Sequence, residues 1–246
     1  MNSTSSRRYP EVAQELRHYI SAHFFNAGEK LPAERVLAEK LDVSRALLRE
    51  ALIMLEIQGL VEVRQGSGVY VRQTEHSGQK LAEDDIGPFE LLQARQVLES
   101  SIAEIAAQMV TKRDIEDLQK ILNEQKNEVQ NEITDYDTDE RFHIRVAEAT
   151  QNRVLLESVN HLWQIRRRSP MWVQLHSHIS HTTYWQQWVD DHQAIFNALK
   201  RKDPAAARQS MWQHLENVRE TVFALSDVDE PDFDGFLFQS FPLSSN

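Results

Sequence analysis

The order of segments in the first 72 residues leaves few folds open. Apolar residues recur at Val12, Leu16, Tyr19, Ile20 and Phe24, a helical spacing between Tyr9 and Phe25. Gly28 and Pro32 interrupt it in NAGEKLP. A short second helix reads over residues 33–41, with Val36, Leu37 and Leu41 turned inward. After the tight connection DVS, Ser44 is placed to N-cap a third helix, SRALLREALIMLEIQGL. Its apolar stripe runs through Leu48, Ala51, Leu52 and Leu55, and Gly59 can end it. VEV and VYV follow, two β-rich runs separated by RQGSG. Three helices and a hairpin are the winged helix-turn-helix order, which predicts a DNA-binding domain over residues 1–72.

In that arrangement the last helix enters the major groove and reads bases from near its N-terminus. Here those positions are Ser44, Arg45, Ala46 and Arg49, with the two arginines one turn apart. Arginine suits bidentate contact with guanine. Arg35 in the preceding helix and Arg64 at the hairpin suit phosphates. Gly66 and Gly68 allow the hairpin backbone to approach a minor groove. Without the surrounding order, such arginines read as an ordinary solvated helix face.

Charge separates this segment from the rest. The chain carries a formal −11, yet residues 1–73 hold ten basic and nine acidic side chains against seventeen and twenty-nine beyond them. Acidic surface away from the reading head discourages unspecific nucleic-acid binding. Residues 73–87 are polar and aperiodic, a hinge. From Pro88 a long amphipathic helix begins, and residues 112–130, 136–149, 152–168, about 181–200 and 204–225 read as further helices. Asp203 caps the last one and Pro204 takes its first position. The prediction is a mainly α chain, with a winged helix-turn-helix joined to an all-α helical bundle over residues 88–226. Residues 227–246 form a tail whose Phe236, Leu237, Phe238 and Phe241 are expected to pack on the bundle. No cysteine is present, which excludes disulfides and thiolate metal sites, and no apolar run approaches the roughly 20 residues of a membrane span. No secretory signal is visible at the N-terminus, so a cytoplasmic location is expected.

Among ten histidines, three are set apart by placement. In DERFH, Asp139 and His143 share a helix face. His192 precedes the apolar stripe of Ile195 and Leu199, and His214 lies between Met211 and Leu215. One carboxylate and three imidazoles at the edges of three helices make a good ligand set for a divalent transition metal, zinc or nickel, rather than for calcium. The bland alternative is a set of histidines that hydrogen-bond neighbouring helices. His176, His178 and His181 in LHSHISH look metal-like by composition, but 176 and 178 do not share a face.

LPAER, VSRALLREAL and EVRQGSGVYV together resemble the DNA-binding domain of the GntR family of bacterial repressors. Many members carry Thr or Pro after the VSR arginine, where this chain has Ala46 and Leu47. The resemblance implies DNA roles for Arg35, Arg45, Arg49 and the wing residues Arg64, Gln65, Gly66, Ser67 and Gly68. ELLQARQVLESSIAEIAA, DERFHIRVAEATQN and DDHQAIFNALKRKDPAAARQSMWQHLENV are similar to the effector domain of the FadR subfamily. That likeness implies a metal held by Asp139, His143, His192 and His214, with Arg95 facing the carboxylate of an effector. GPFELLQARQVLES, SPMWVQLHSHI and FDGFLFQSFPL narrow the likeness to hexuronate-utilisation repressors.

The expectation is therefore a homodimeric repressor that reads a palindromic operator. Its effector would be fructuronate, glucuronate or galacturonate, held at the metal and by Arg95. Trp163, Trp172, Gln174 and His176 are candidates for the remaining hydroxyls. A regulator answering to lactate, gluconate or a dicarboxylate is the alternative. A metal-dependent hydrolase is a remote one, because no HExxH or GxSxG is present.

Overall fold

A computed structural model describes residues 8–64, 67–72, 86–131, 137–177 and 181–224. Its α1 (Tyr9–Ala22), α2 (Glu34–Leu41) and α3 (Arg45–Ile57) precede the antiparallel β1 (Val61–Arg64) and β2 (Gly68–Val71). The register pairs Val61 with Val71 and Val63 with Val69. These valines point one way, and Val61, Val69 and Val71 join Val12, Leu16, Leu37, Leu48, Leu52 and Leu55 in one core. Ser44 caps α3, its hydroxyl accepting from Leu47 N at 3.1 Å. Gly59 follows the helix at φ +73°, the left-handed conformation that ends a helix.

The stretch around Gly28 and Pro32 does more than break a helix. Gly28 N and Leu31 N donate to the Val71 and Val69 carbonyls at 2.8 Å, and Val71 N donates to Glu29 O at 2.9 Å. It thereby covers the open edge of β2, which would otherwise be left with unpaired backbone groups. Gly68 is fixed by the same approach. Its φ is +106°, and a Cβ there would sit 2.6 Å from Lys30 Cε.

The remaining elements are α4 (Pro88–Met109), α5 (Lys112–Gln130), α6 (Asp137–Glu148), α7 (Arg153–Arg168), α8 (Pro170–Ser177), α9 (His181–Lys200) and α10 (Pro204–Ala224). α5 opens on a capping box between Thr111 and Asp114. α10 opens on Asp203, whose carboxylate accepts from Ala206 N at 3.0 Å. No helix among the described residues is long and apolar enough to cross a membrane.

The chain divides into two compact units. Residues 90–131, 137–168 and 181–221 form the helical bundle, in which α5 packs on α6 and α9, and α6 on α7. α8 and the last residues of α10, Val222 to Ala224, group instead with the N-terminal elements. α8 itself was not expected: eight residues give barely two turns of periodicity. The expected tail packing of residues 227–246, and all of the hinge except Ile86 and Gly87, lie outside the described residues.

Candidate functional site

Within the bundle, three helices bring four side chains to one point. α6 presents Asp139 and His143 from successive turns, α9 presents His192, and α10 presents His214. The three imidazoles are buried, and Asp139 is largely so. One ligand atom from each lies within 4.8 Å of every other. His192 Nε2 is 3.3 Å from His143 Nε2 and 3.2 Å from His214 Nε2. Asp139 Oδ1 is 3.6 Å from His143 Nε2 and 3.5 Å from His192 Nε2. Neighbouring ligands about 2.1 Å from one transition-metal ion stand roughly 3.0–3.4 Å apart, and these four separations are of that order.

The far side of each ring is held by an acceptor. His143 Nδ1 contacts the Glu99 carboxylate, His192 Nδ1 is 3.0 Å from Gln125 Oε1, and His214 Nδ1 is 3.4 Å from Asp191 Oδ2. Asn217 Nδ2 holds Asp191 in turn, at 2.9 and 3.1 Å. Acceptors on every Nδ1 place the proton there and leave each Nε2 lone pair facing inward. Three lone pairs and a carboxylate around one point repel each other unless a cation joins them. The donor set therefore fits a divalent transition metal.

The charges agree. Burial pushes His143 below the ordinary imidazole range, against the pull of Glu99. Burial, then the neighbouring His214 and His143, take His192 well below it. Both are thus unprotonated at neutral pH, as a ligand must be. Burial raises Asp139, but Arg166, whose NH1 is 3.3 Å from Oδ2, together with His143, His192 and Arg95, outweighs it and holds the carboxylate well below its usual range.

Arg95 is 2% exposed. Its Nε donates to Glu99 Oε1 at 2.7 Å, and no described residue takes its two terminal amino groups. Burial raises the Glu99 pKa, yet Arg95 and His143 bring it to about 2. Glu99 thus joins an arginine with free donors to a ring of the cluster. Sequence reasoning missed Glu99, Gln125, Asp191 and Arg166. Only Glu99 left a trace, one turn from Arg95 on α4.

The expected DNA-reading residues divide. Arg35 is exposed and pairs with Glu39 at 2.8 Å. Arg64 is exposed, 3.2 Å from Glu62, with its guanidinium 4.3 Å above the Tyr70 ring. Ser44 and Arg45 are half-buried, as are Ser67, whose Oγ is 2.7 Å from Tyr70 OH, and Gly68. Gln65 and Gly66 lie outside the described residues, as do the side chains of His176, His178 and His181. Two of the expected residues are buried in this structure. Ala46 and Arg49 are each 1% exposed and face no solvent. Arg49 NH2 is 2.5 Å from Glu34 Oε2, its NH1 donates to the Phe223 carbonyl at 2.5 Å, and its guanidinium lies 4.9 Å from the Phe223 ring. The physical cause is α8 packing on α3 beside the last turn of α10, which covers that face.

Comparison with known proteins finds two successive family matches. Residues 8–71 match the family described as bacterial regulatory proteins, gntR family, and residues 90–217 match the FCD domain. The chain is 49% identical to the Uxu operon regulator of Haemophilus influenzae, over 99% of this chain and 92% of that one. It is 45% identical to the Exu regulon transcriptional regulator of Escherichia coli K12, over 99% and 96%. A putative L-lactate dehydrogenase operon regulatory protein of the same organism is 32% identical, over 86% and 85%. The head, the bundle and these relatives agree that the chain is a transcriptional regulator and not an enzyme. It belongs to the GntR family of bacterial regulators, in the FadR-like branch whose second domain is an FCD domain.

Proposed function

We propose that the protein is a homodimeric repressor of hexuronate-catabolism genes. Two winged helices read a palindromic operator, and a hexuronate such as fructuronate, glucuronate or galacturonate sets the affinity. A divalent cation, zinc or nickel, bound by Asp139, His143, His192 and His214 supplies Lewis-acidic positions for oxygens of the effector. Arg95 supplies the charge match, a bidentate fork for the effector's carboxylate.

The observation that carries this reading is Arg95 itself. A guanidinium 2% exposed, with no described residue hydrogen-bonded to its terminal amino groups beside the Asp–His cluster, is built for an anion that arrives from outside. The likeness to Uxu and Exu regulators favours hexuronates, and the lactate-operon relative stands further away. Regulation requires the effector to bind the DNA-competent and incompetent states unequally.

The test is operator affinity by fluorescence anisotropy, at one fixed salt concentration, with and without each hexuronate. One hexuronate should shift the operator Kd in the metal-loaded wild type, and Arg95→Ala should abolish the shift while leaving ligand-free DNA binding intact. A wild type indifferent to all three sugars would sink the effector assignment.

A further inference from the structure

Trp163 on α7 is 0% exposed, and its indole Nε1 is buried with no hydrogen-bond partner among the described residues. Its apolar neighbours Ile102, Ala147 and Val159 offer that N–H nothing. Two cations flank the ring, with Arg95 Cζ 4.2 Å and Arg166 Cζ 4.5 Å from its centroid. The His143 ring lies 5.3 Å away, tilted by 45°. An unsatisfied buried donor is unusual in a native structure and asks for an acceptor supplied from elsewhere. Trp188 also buries an unpartnered Nε1, but the ring beside it is Trp185, and neither belongs to the cluster.

We infer that Trp163 is a specificity-determining residue of the effector site, its N–H donating to a hydroxyl oxygen of a polyhydroxylated acid. The inference rests on the effector reading above and narrows it. The carboxylate goes to the free amino groups of Arg95, which match its charge. A neighbouring oxygen goes to the Asp–His cluster. A three-carbon hydroxy acid such as lactate has then spent its carboxylate and its one hydroxyl, and leaves Trp163 unfilled. Only an acid with further hydroxyls reaches all three groups. A site that hydrogen-bonds a substrate hydroxyl discriminates against analogues lacking it, because its own polar group is then left unpaired.

The experiment uses full-length, metal-loaded protein and titration calorimetry with glucuronate, galacturonate, fructuronate and L-lactate. Trp163→Phe keeps an aromatic ring and removes the N–H. For the hexuronate that binds wild type most tightly, Kd should rise about three- to tenfold, the loss of one net hydrogen bond. Any lactate affinity, the metal content and ligand-free operator binding should stay unchanged. An unchanged hexuronate Kd, or equal losses for hexuronate and lactate, overturns the inference. Wild type that binds no hexuronate overturns the effector reading, and this inference with it.

Should Trp163→Phe fail to fold, wild type labelled with indole nitrogen-15 gives a second measurement. Of its five indole N–H resonances, Trp163's is assigned by elimination with Phe at Trp172, Trp185, Trp188 and Trp212. It should move downfield with the hexuronate and stay in place with lactate. A signal indifferent to the hexuronate overturns the inference.

Discussion

Glu99 meets His143 at Nδ1, on the side of the ring turned away from the cluster. The same carboxylate takes Arg95 Nε at 2.7 Å. One buried group therefore orients both a cluster imidazole and the arginine beside it. Residues in this position tune metal affinity by about 10–100-fold. Glu99→Ala should weaken zinc binding within that range, and Glu99→Gln, which retains an acceptor oxygen, should weaken it less. Competition against a chromogenic chelator reads the difference. Wild-type zinc affinity in Glu99→Ala would remove the orienting role.

Metal and stability should be coupled, since the four ligands come from three helices. Chelator-treated protein should melt at a lower temperature and recover on adding Zn²⁺. At a hundredfold excess over Kd the gain is about 2.7 kcal/mol. His192→Ala should abolish the recovery. Differential scanning fluorimetry with Zn²⁺ and Ni²⁺ checks this, and a melting temperature blind to both ions would count against a metal site.

Arg49 and Arg35 make a matched pair, one buried and one exposed. Arg49→Ala strands the Glu34 carboxylate, 5% exposed, without its partner. Breaking a buried ion pair in this way costs about 3–5 kcal/mol. Arg35→Ala breaks an exposed i,i+4 pair and should change stability by less than about 1 kcal/mol while weakening operator binding. Urea unfolding and operator titration on both variants separate the two effects. Equal stabilities would show that Arg49 is not buried in solution.

Asp114 should give the acid limb of stability one of its slopes. Burial raises its pKa, but hydrogen bonds from the Thr111 hydroxyl and backbone, and the charge of Arg145, bring it below the usual aspartate value. A lowered folded-state pKa stabilises above the unfolded value, near pH 4, and that contribution fades as pH falls through the folded value. Wild type should therefore exceed Asp114→Asn in melting temperature at pH 7, with the gap closing below about pH 4. A constant gap from pH 7 to pH 3 would contradict this.

Much of this was legible because periodicity and caps are local signals. Ser44, Gly59 and the Asp203–Pro204 pair mark helix ends in the sequence as they do in the structure. Asp139 and His143 could be paired by spacing alone. His192 and His214 stood out by their places beside apolar stripes, and the structure brings all four together. The acceptors behind the rings were not legible. Gln125 lies 67 residues from His192, and Asp191, next to His192 in sequence, serves His214 instead. Such pairings exist only once the helices have packed. Arg49 shows the same limit from the other direction. Its spacing from Arg45 suggests a shared exposed face, but α8, too short to announce itself by period, lies on α3.

Phe142, the residue before His143 on α6, has its ring stacked on His192 at 4.2 Å and 21°. It gives His192 an aromatic shelf on one face while Gln125 holds its edge. The ring therefore cannot swing without losing both contacts, neither of which needs an ion. Uptake by the apo-protein should then be a single kinetic phase whose rate rises linearly with metal concentration in stopped-flow. The slow step is the shedding of water by the incoming cation, so nickel, which releases its hydration shell far more sluggishly than zinc, should load more slowly into the same cage.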